Sequence, residues 1–122
     1  MTKKRLERRK SKRFRLPTSS FAGLGPYFGK VGGILDVSMG GLAFSYIGIE
    51  EPNDSLYLDV FLIDHDFYLR RVPFVTISDI PIVPDVRQDM TLRRRGVRFG
   101  KLTPQQKSQL DHLIQNYAIG EV

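Results

Sequence analysis

Two runs of this sequence hold residue types that can grip an anion. The first is Arg9-Lys10-Ser11-Lys12-Arg13, inside a stretch where nine of the first fifteen residues are Lys or Arg. Arg9 and Arg13 are four apart, so an extended or a helical backbone puts both on one side. A guanidinium forks onto a phosphate or onto the O6/N7 edge of guanine, and it also stacks on a purine face. Arg8 and Arg15 flank the pair and add field strength. The second run is Asp36-Val37-Ser38-Met39-Gly40-Gly41. Asp36 and Ser38 are two apart and share a face at a strand end. A carboxylate accepts from the N1 and N2 hydrogens of guanine, and a hydroxyl donates to a phosphate oxygen. Gly40 and Gly41 permit positive φ and close approach of backbone to a ligand. Taken singly, the first run is a polyanion-binding arm and the second a polar turn joining two strands. Taken together they read as two halves of a site for an anionic, guanine-containing ligand.

The elements that must position these residues follow from composition and pattern. A chain of 122 residues with 41% hydrophobic residues supports one domain with a modest core. The absence of Cys excludes a disulfide framework and thiolate metal sites. There is no uncharged stretch of the ~18–20 residues a membrane span needs, and no apolar leader segment, so a cytoplasmic location is expected. The net charge of +6 is uneven: residues 1–15 carry nine basic residues against Glu7, a charge of +8, and the other 107 residues carry −2. The basicity therefore belongs to an arm, which favours a localised anionic partner.

Along the chain, residues 1–13 have few apolar side chains and read as a flexible arm, and residues 14–122 as the folded body. Residues 17–29, rich in Pro, Gly and Ser, read as turn and edge strand. Strands are expected at residues 31–37, with Gly32 and Gly33 weakening or bending the run, and at 42–49, 56–63, 67–77 and 91–99. Leu56, Leu58, Val60 and Leu62 alternate on one face. Residues 79–90, with Pro81 and Pro84, read as a loop. Thr103 is a good N-cap, Pro104 fits the first helical position, and Gln106 completes a capping box. Leu110, Leu113, Ile114 and Tyr117 then fall on one apolar helix face. The pattern is that of a small antiparallel β-barrel with an appended C-terminal helix.

Arg9 to Arg13, followed about 23 residues later by Asp36-x-Ser38-x-x-Gly41, resembles the pattern of the PilZ domain family, receptors for the bacterial second messenger cyclic di-GMP. That pattern is RxxxR just before the barrel and [D/N]xSxxG on an early strand. Gly96-Val97-Arg98-Phe99 is similar to the family's last-strand GvrF run, before a turn and the helix. The resemblance runs from residue 8 to about residue 117. It implies a six-stranded antiparallel β-barrel with a C-terminal helix and a non-enzymatic receptor role. Arg8, Arg9 and Arg13 would take phosphates and guanine edges. Asp36, Ser38, Gly40 and Gly41 would line the other side of the same ligand. A downstream protein partner is implied but not named by the sequence.

Other features are weaker. Arg93-Arg94-Arg95 extends a phosphate surface or, more commonly, sits on a solvated edge strand. Asp64-His65-Asp66 has metal-ligand residue types but reads as a hairpin tip, and no metal or cofactor is expected. There is no Ser/His/Asp arrangement, phosphate-cradling Gly-rich loop or paired-carboxylate motif for catalysis. Two rival readings remain: a basic-armed barrel that binds RNA or DNA, and a PilZ-like protein adaptor indifferent to nucleotide. The near-neutral body and the lack of an evident aromatic stacking platform weigh against the first. The intact motif residues weigh against the second.

Overall fold

The computed structural model describes residues 12–26, 29–48, 57–83 and 91–122. Most of them form one antiparallel sheet: β1 Phe14–Arg15, β2 Ser20–Gly25, β3 Lys30–Val37, β4 Gly41–Ile47, β5 Tyr57–Leu62, β6 Phe67–Val72, β7 Phe74–Val83, β8 Leu92–Phe99 and β9 Gly120–Glu121. A single 3-10 turn, Ile63–His65, joins β5 to β6, and helix α1, Pro104–Tyr117, follows β8. The sheet runs β6-β5-β2-β3-β4-β8-β7, with β1 paired to β3 and to β9. The mainly-β architecture with a C-terminal helix is the one expected. The strand number exceeds the expected six, because the run 67–77 divides at Pro73 and two short strands clip the chain near residue 14. No ladder joins β6 to β7 among the described residues.

Three local readings are corrected. The segment at residues 17–29 was expected to hold an edge strand, yet β2 pairs with both β3 and β5. Its prolines lie outside the strand and Gly23 and Gly25 inside it: a Cβ on Gly25 would meet the Tyr57 ring at 2.3 Å. The expected strand at 67–77 is two strands, since Pro73 has no N–H to offer a ladder. Pro73 instead accepts from Gly100 N–H at 2.7 Å through its carbonyl. The expected loop at 79–90 is strand as far as Val83. Pro81 is tolerated there because β7 ends the sheet path, where one row of backbone groups needs no ladder.

β3 is the corner strand. Its first half pairs with β2 and its second half with β4, across an irregularity at Leu35. Gly32 makes the corner possible, because a Cβ there would fall 1.4 Å from the carbonyl oxygen of Ser45. The core gathers the inward positions of these strands: Val37, Phe44, Leu58, Val60, Leu62, Leu69 and Val72, all fully buried.

The helix seals one side of this core with Leu110 and Leu113, also fully buried, while Ile114 and Tyr117 pack at its margin. Each such burial contributes about 1.5–3 kcal/mol. Its start is the expected capping box: Thr103 Oγ1 accepts from Gln106 N–H at 3.0 Å, and Gln106 Oε1 accepts from Thr103 N–H at 3.0 Å. The Gln106 amide also donates to the carbonyls of Arg70 and Arg71, at 3.0 and 3.1 Å, tying the cap to β6. Asp64-His65-Asp66 is a turn, with Asp66 in the left-handed region and His65 stacked on Tyr117 at 4.7 Å.

Candidate functional site

The candidate site forms on the outer face of β3, β4, β8 and β7. Side chains of a strand alternate between faces, and register puts Asp36 beside Ala43, Ala43 beside Gly96, and Gly96 beside Ser78. These small residues make the floor of a cleft of about 310 Å3. That volume falls at the lower end of small-molecule sites, roughly 300–1,000 Å3. Arg13, Asp36, Ser38, Arg94 and Arg98 stand around the floor.

Gly40 and Gly41 belong to the turn between β3 and β4. Ser38 N–H donates to the Gly41 carbonyl at 2.8 Å. Ser38 Oγ accepts from the N–H groups of Gly40 and Gly41 at 3.1 and 3.2 Å, and its hydroxyl donates to the Gly41 carbonyl at 3.3 Å. Ser38 thus first shapes the turn. The positive φ that the glycine pair permits is not used: no described glycine has one. Gly41 is required instead by crowding, since a Cβ would lie 2.2 Å from the Val97 carbonyl oxygen. The Gly40 carbonyl accepts from Phe99 N–H at 2.8 Å, which fastens the turn to β8.

Asp36 is largely buried, with a carboxylate held between two cations. Arg13 Nη1 lies 3.9 Å from Oδ1, and Arg94 Nη2 lies 3.7 Å from Oδ2. Charge-assisted hydrogen bonds run at about 2.7–2.9 Å, so neither pair is closed. The carboxylate keeps acceptor capacity facing the cleft. Of the residues expected in the site, the structure brings together Arg13, Asp36, Ser38, Gly40 and Gly41. Arg8 and Arg9 lie outside the described residues.

Under the floor is a buried polar cluster. Arg93 and Arg95 point inward from β8, not into solvent as an edge strand would have them. Asp79 of β7 accepts from Arg93 Nε at 2.7 Å, from Arg95 at 3.0–3.1 Å and from the Tyr46 hydroxyl at 2.5 Å. Burial alone would push the Asp79 carboxyl up. Hydrogen bonds from Tyr46 and Arg93, with the charges of Arg95 and Arg93, outweigh it and hold the group below the ordinary carboxylate value. Burial first, then the bond to the Asp79 carboxylate, pushes the Tyr46 phenol up to about 12. The sequence carried a usable signal for this cluster. Alternation along β8 sends Arg93 and Arg95 one way and Arg94 and Arg98 the other, and an inward guanidinium needs a carboxylate.

On the far outer face, Phe21, Phe61 and Tyr68 stack side by side across β2, β5 and β6, with ring centroids 5.9 and 5.7 Å apart. The sequence reading missed this row, because cross-strand neighbours are distant in the chain. Among the described residues, no group of three or more acidic, His or Cys side chains is placed to hold a metal. No helix among them is long and apolar enough to cross a membrane.

The strand path, the corner at β3 and the helix after β8 define a PilZ-type fold. The chain superposes on YcgR in complex with c-di-GMP from Escherichia coli with a TM-score of 0.64 and 19% identity, over 88% of this chain and 45% of that one. It matches MrkH, described as a c-di-GMP-dependent transcription regulatory factor, with a TM-score of 0.61 and 16% identity, over 88% of this chain and 50% of that one. The isolated PilZ domain of YcgR with c-di-GMP gives 0.56 and 17% identity, over 90% and 91%. The chain thus spans about half the length of the first two proteins and nearly all of the third. No protein-family model and no curated protein matches the sequence.

Proposed function

We propose that this protein is a cyclic di-GMP receptor, without catalysis of its own, that relays ligand binding to a partner protein. The observation that carries the reading is the meeting of Arg13, Asp36, Ser38 and the Gly40-Gly41 turn around one cleft of a PilZ-type fold. Asp36 takes the N1 and N2 hydrogens of a guanine. Ser38 exchanges its long bond to Gly41 for a ligand phosphate. Arg9 and Arg13 close on phosphates and purine edges, with Arg8 adding field. The arm, repelled by its own charge when free, then folds over the cleft and creates or hides a surface for the partner.

Isothermal titration with cyclic di-GMP tests this reading. Wild type should bind at micromolar concentration or below. Arg13→Ala and Asp36→Ala should each lose tenfold or more, since a hydrogen bond to a charged group is worth roughly 1.5–3 kcal/mol. A folded wild type that gives no heat at tens of micromolar overturns the proposal. Amide exchange of residues 1–13 should slow on binding, and unchanged exchange would reject the arm's role.

A second reading draws on the Phe21–Phe61–Tyr68 row, with the Arg70 guanidinium 5.8 Å from the centre of the Tyr68 ring. Aromatic rows with adjacent arginines suit single-stranded nucleic acid. A short RNA in the same titration separates the two, because RNA binding would depend on Tyr68 and cyclic di-GMP binding would not.

A further inference from the structure

We infer that Arg94 and Arg98 of β8 are ligand-binding residues that hold the phosphates of the nucleotide from the β8 wall of the cleft. This rests on the cyclic di-GMP reading and adds two residues outside the RxxxR and DxSxxG runs, Arg98 being the Arg of the last-strand GvrF run. Arg94, Gly96 and Arg98 occupy alternate positions of β8, and all three line the cleft. Four residues of strand separate the two arginines, about 13 Å at ~3.3 Å per residue. Between them lie Gly96 and the neighbouring Ala43 and Ser78, with Ile77 at the β7 rim. A flat base can rest there with a guanidinium at either end.

The resting position of Arg94 is informative. A Cβ built on Gly96 would lie 3.9 Å from Arg94 Nη1, so this side chain folds back over the glycine instead of extending into water. It reaches to 3.7 Å from Asp36, too far for a closed hydrogen bond. A guanine taking Asp36 through its N1 and N2 hydrogens competes directly with this pair. The guanidinium, with five N–H donors, then moves to the adjoining phosphate. Arg98, exposed and without an ion-pair partner among the described residues, is already available for the other.

Charge points the same way. Arg13, Arg94 and Arg98 against Asp36 leave the wall of the cleft at +2. One cyclic dinucleotide carries two phosphodiester charges of the opposite sign. Asp36 offsets part of the repulsion among the three guanidiniums, and the ligand phosphates offset more.

The test is a titration of wild type, Arg94→Ala, Arg94→Lys and Arg98→Ala with cyclic di-GMP and with its linear, ring-opened dinucleotide, at two salt concentrations. Arg94→Ala and Arg98→Ala should each weaken cyclic di-GMP binding about tenfold or more and flatten its salt dependence. Arg94→Lys should recover most of the affinity, because a phosphate accepts a point charge. The thermal midpoint of all three variants should stay within about 2 °C of wild type, which separates a ligand contact from a structural role. Unchanged affinity in both alanine variants overturns the inference and leaves the receptor reading intact. Tighter binding by Arg94→Ala also overturns it, since Arg94 would then be a competitor of the ligand. No binding by wild type brings down the receptor reading itself.

Discussion

Asp79→Ala is the substitution whose effect the structure specifies most closely. The Asp79 side chain is 3% exposed, as is that of Arg95, and the Arg93 side chain is 10% exposed. The carboxylate accepts from both guanidiniums and from the Tyr46 hydroxyl. Alanine removes all of these bonds and leaves buried positive charge facing the gap. Removing one partner of a buried ion pair costs about 3–5 kcal/mol, against a total of about 5–15 kcal/mol that holds a domain together. At roughly 3–4 °C per kcal/mol for a domain of this size, the thermal midpoint should fall by about 10–20 °C. Urea unfolding followed by circular dichroism measures the loss directly. The double substitution Asp79→Leu with Arg95→Met removes both charges and should cost less than the two single changes added together. A loss below about 1 kcal/mol for Asp79→Ala would mean that the guanidiniums are satisfied without this carboxylate, and the buried cluster as described would be refuted.

Further predictions follow from the same contacts. Asp79, held below the ordinary carboxylate value, contributes stability above the pKa of an unfolded Asp, about 4, and that contribution is lost as pH falls through its lower folded value; Asp79→Asn should flatten the acid limb of a stability–pH curve. Tyr46, raised to about 12, favours the folded state fully below pH ~10 and loses that contribution as pH rises toward 12. Absorbance at 295 nm should show its phenol ionising last or only on unfolding, and Tyr46→Phe should remove that component. Gly41→Ala should separate β4 from β8 at Val97, costing more than 2 kcal/mol in urea unfolding and abolishing ligand binding; a stable, binding-competent Gly41→Ala would refute the crowding account. Gln106→Ala removes the reciprocal cap and both links to β6, and should cost about 1–2 kcal/mol with little change in ligand affinity.

Much of this molecule is readable from short-range pattern, and the failures share one cause. The α1 cap was legible because Thr103, Pro104 and Gln106 act within four residues of one another. The turn at Ser38 was legible for the same reason. Asp79 was not: Pro81 and Pro84 suggest a loop, and its place is set by Arg93 and Arg95, a strand away. The need for glycine at position 41 was anticipated but its cause was not. The close atom belongs to Val97, 56 positions later, and no local rule contains it. Arg93-Arg94-Arg95 looked like one basic cluster. Sheet alternation splits it into a buried part and a part that faces the cleft.

Strand β1 has a consequence for the arm. Phe14 is paired on one side with Val37 and on the other with Glu121. The Arg13 carbonyl accepts from Val122 N–H at 2.8 Å, and the Arg15 carbonyl from Ile119 N–H at 2.9 Å. Arg13 is therefore a fixed post, with its backbone already anchored beside Asp36. A ligand that engages it immobilises only a side chain, about 1.5–2 kcal/mol of lost rotamer freedom, without the further 1–2 kcal/mol for fixing a backbone residue. Because residues 119–122 brace that post, they are joined mechanically to the candidate site without lining it.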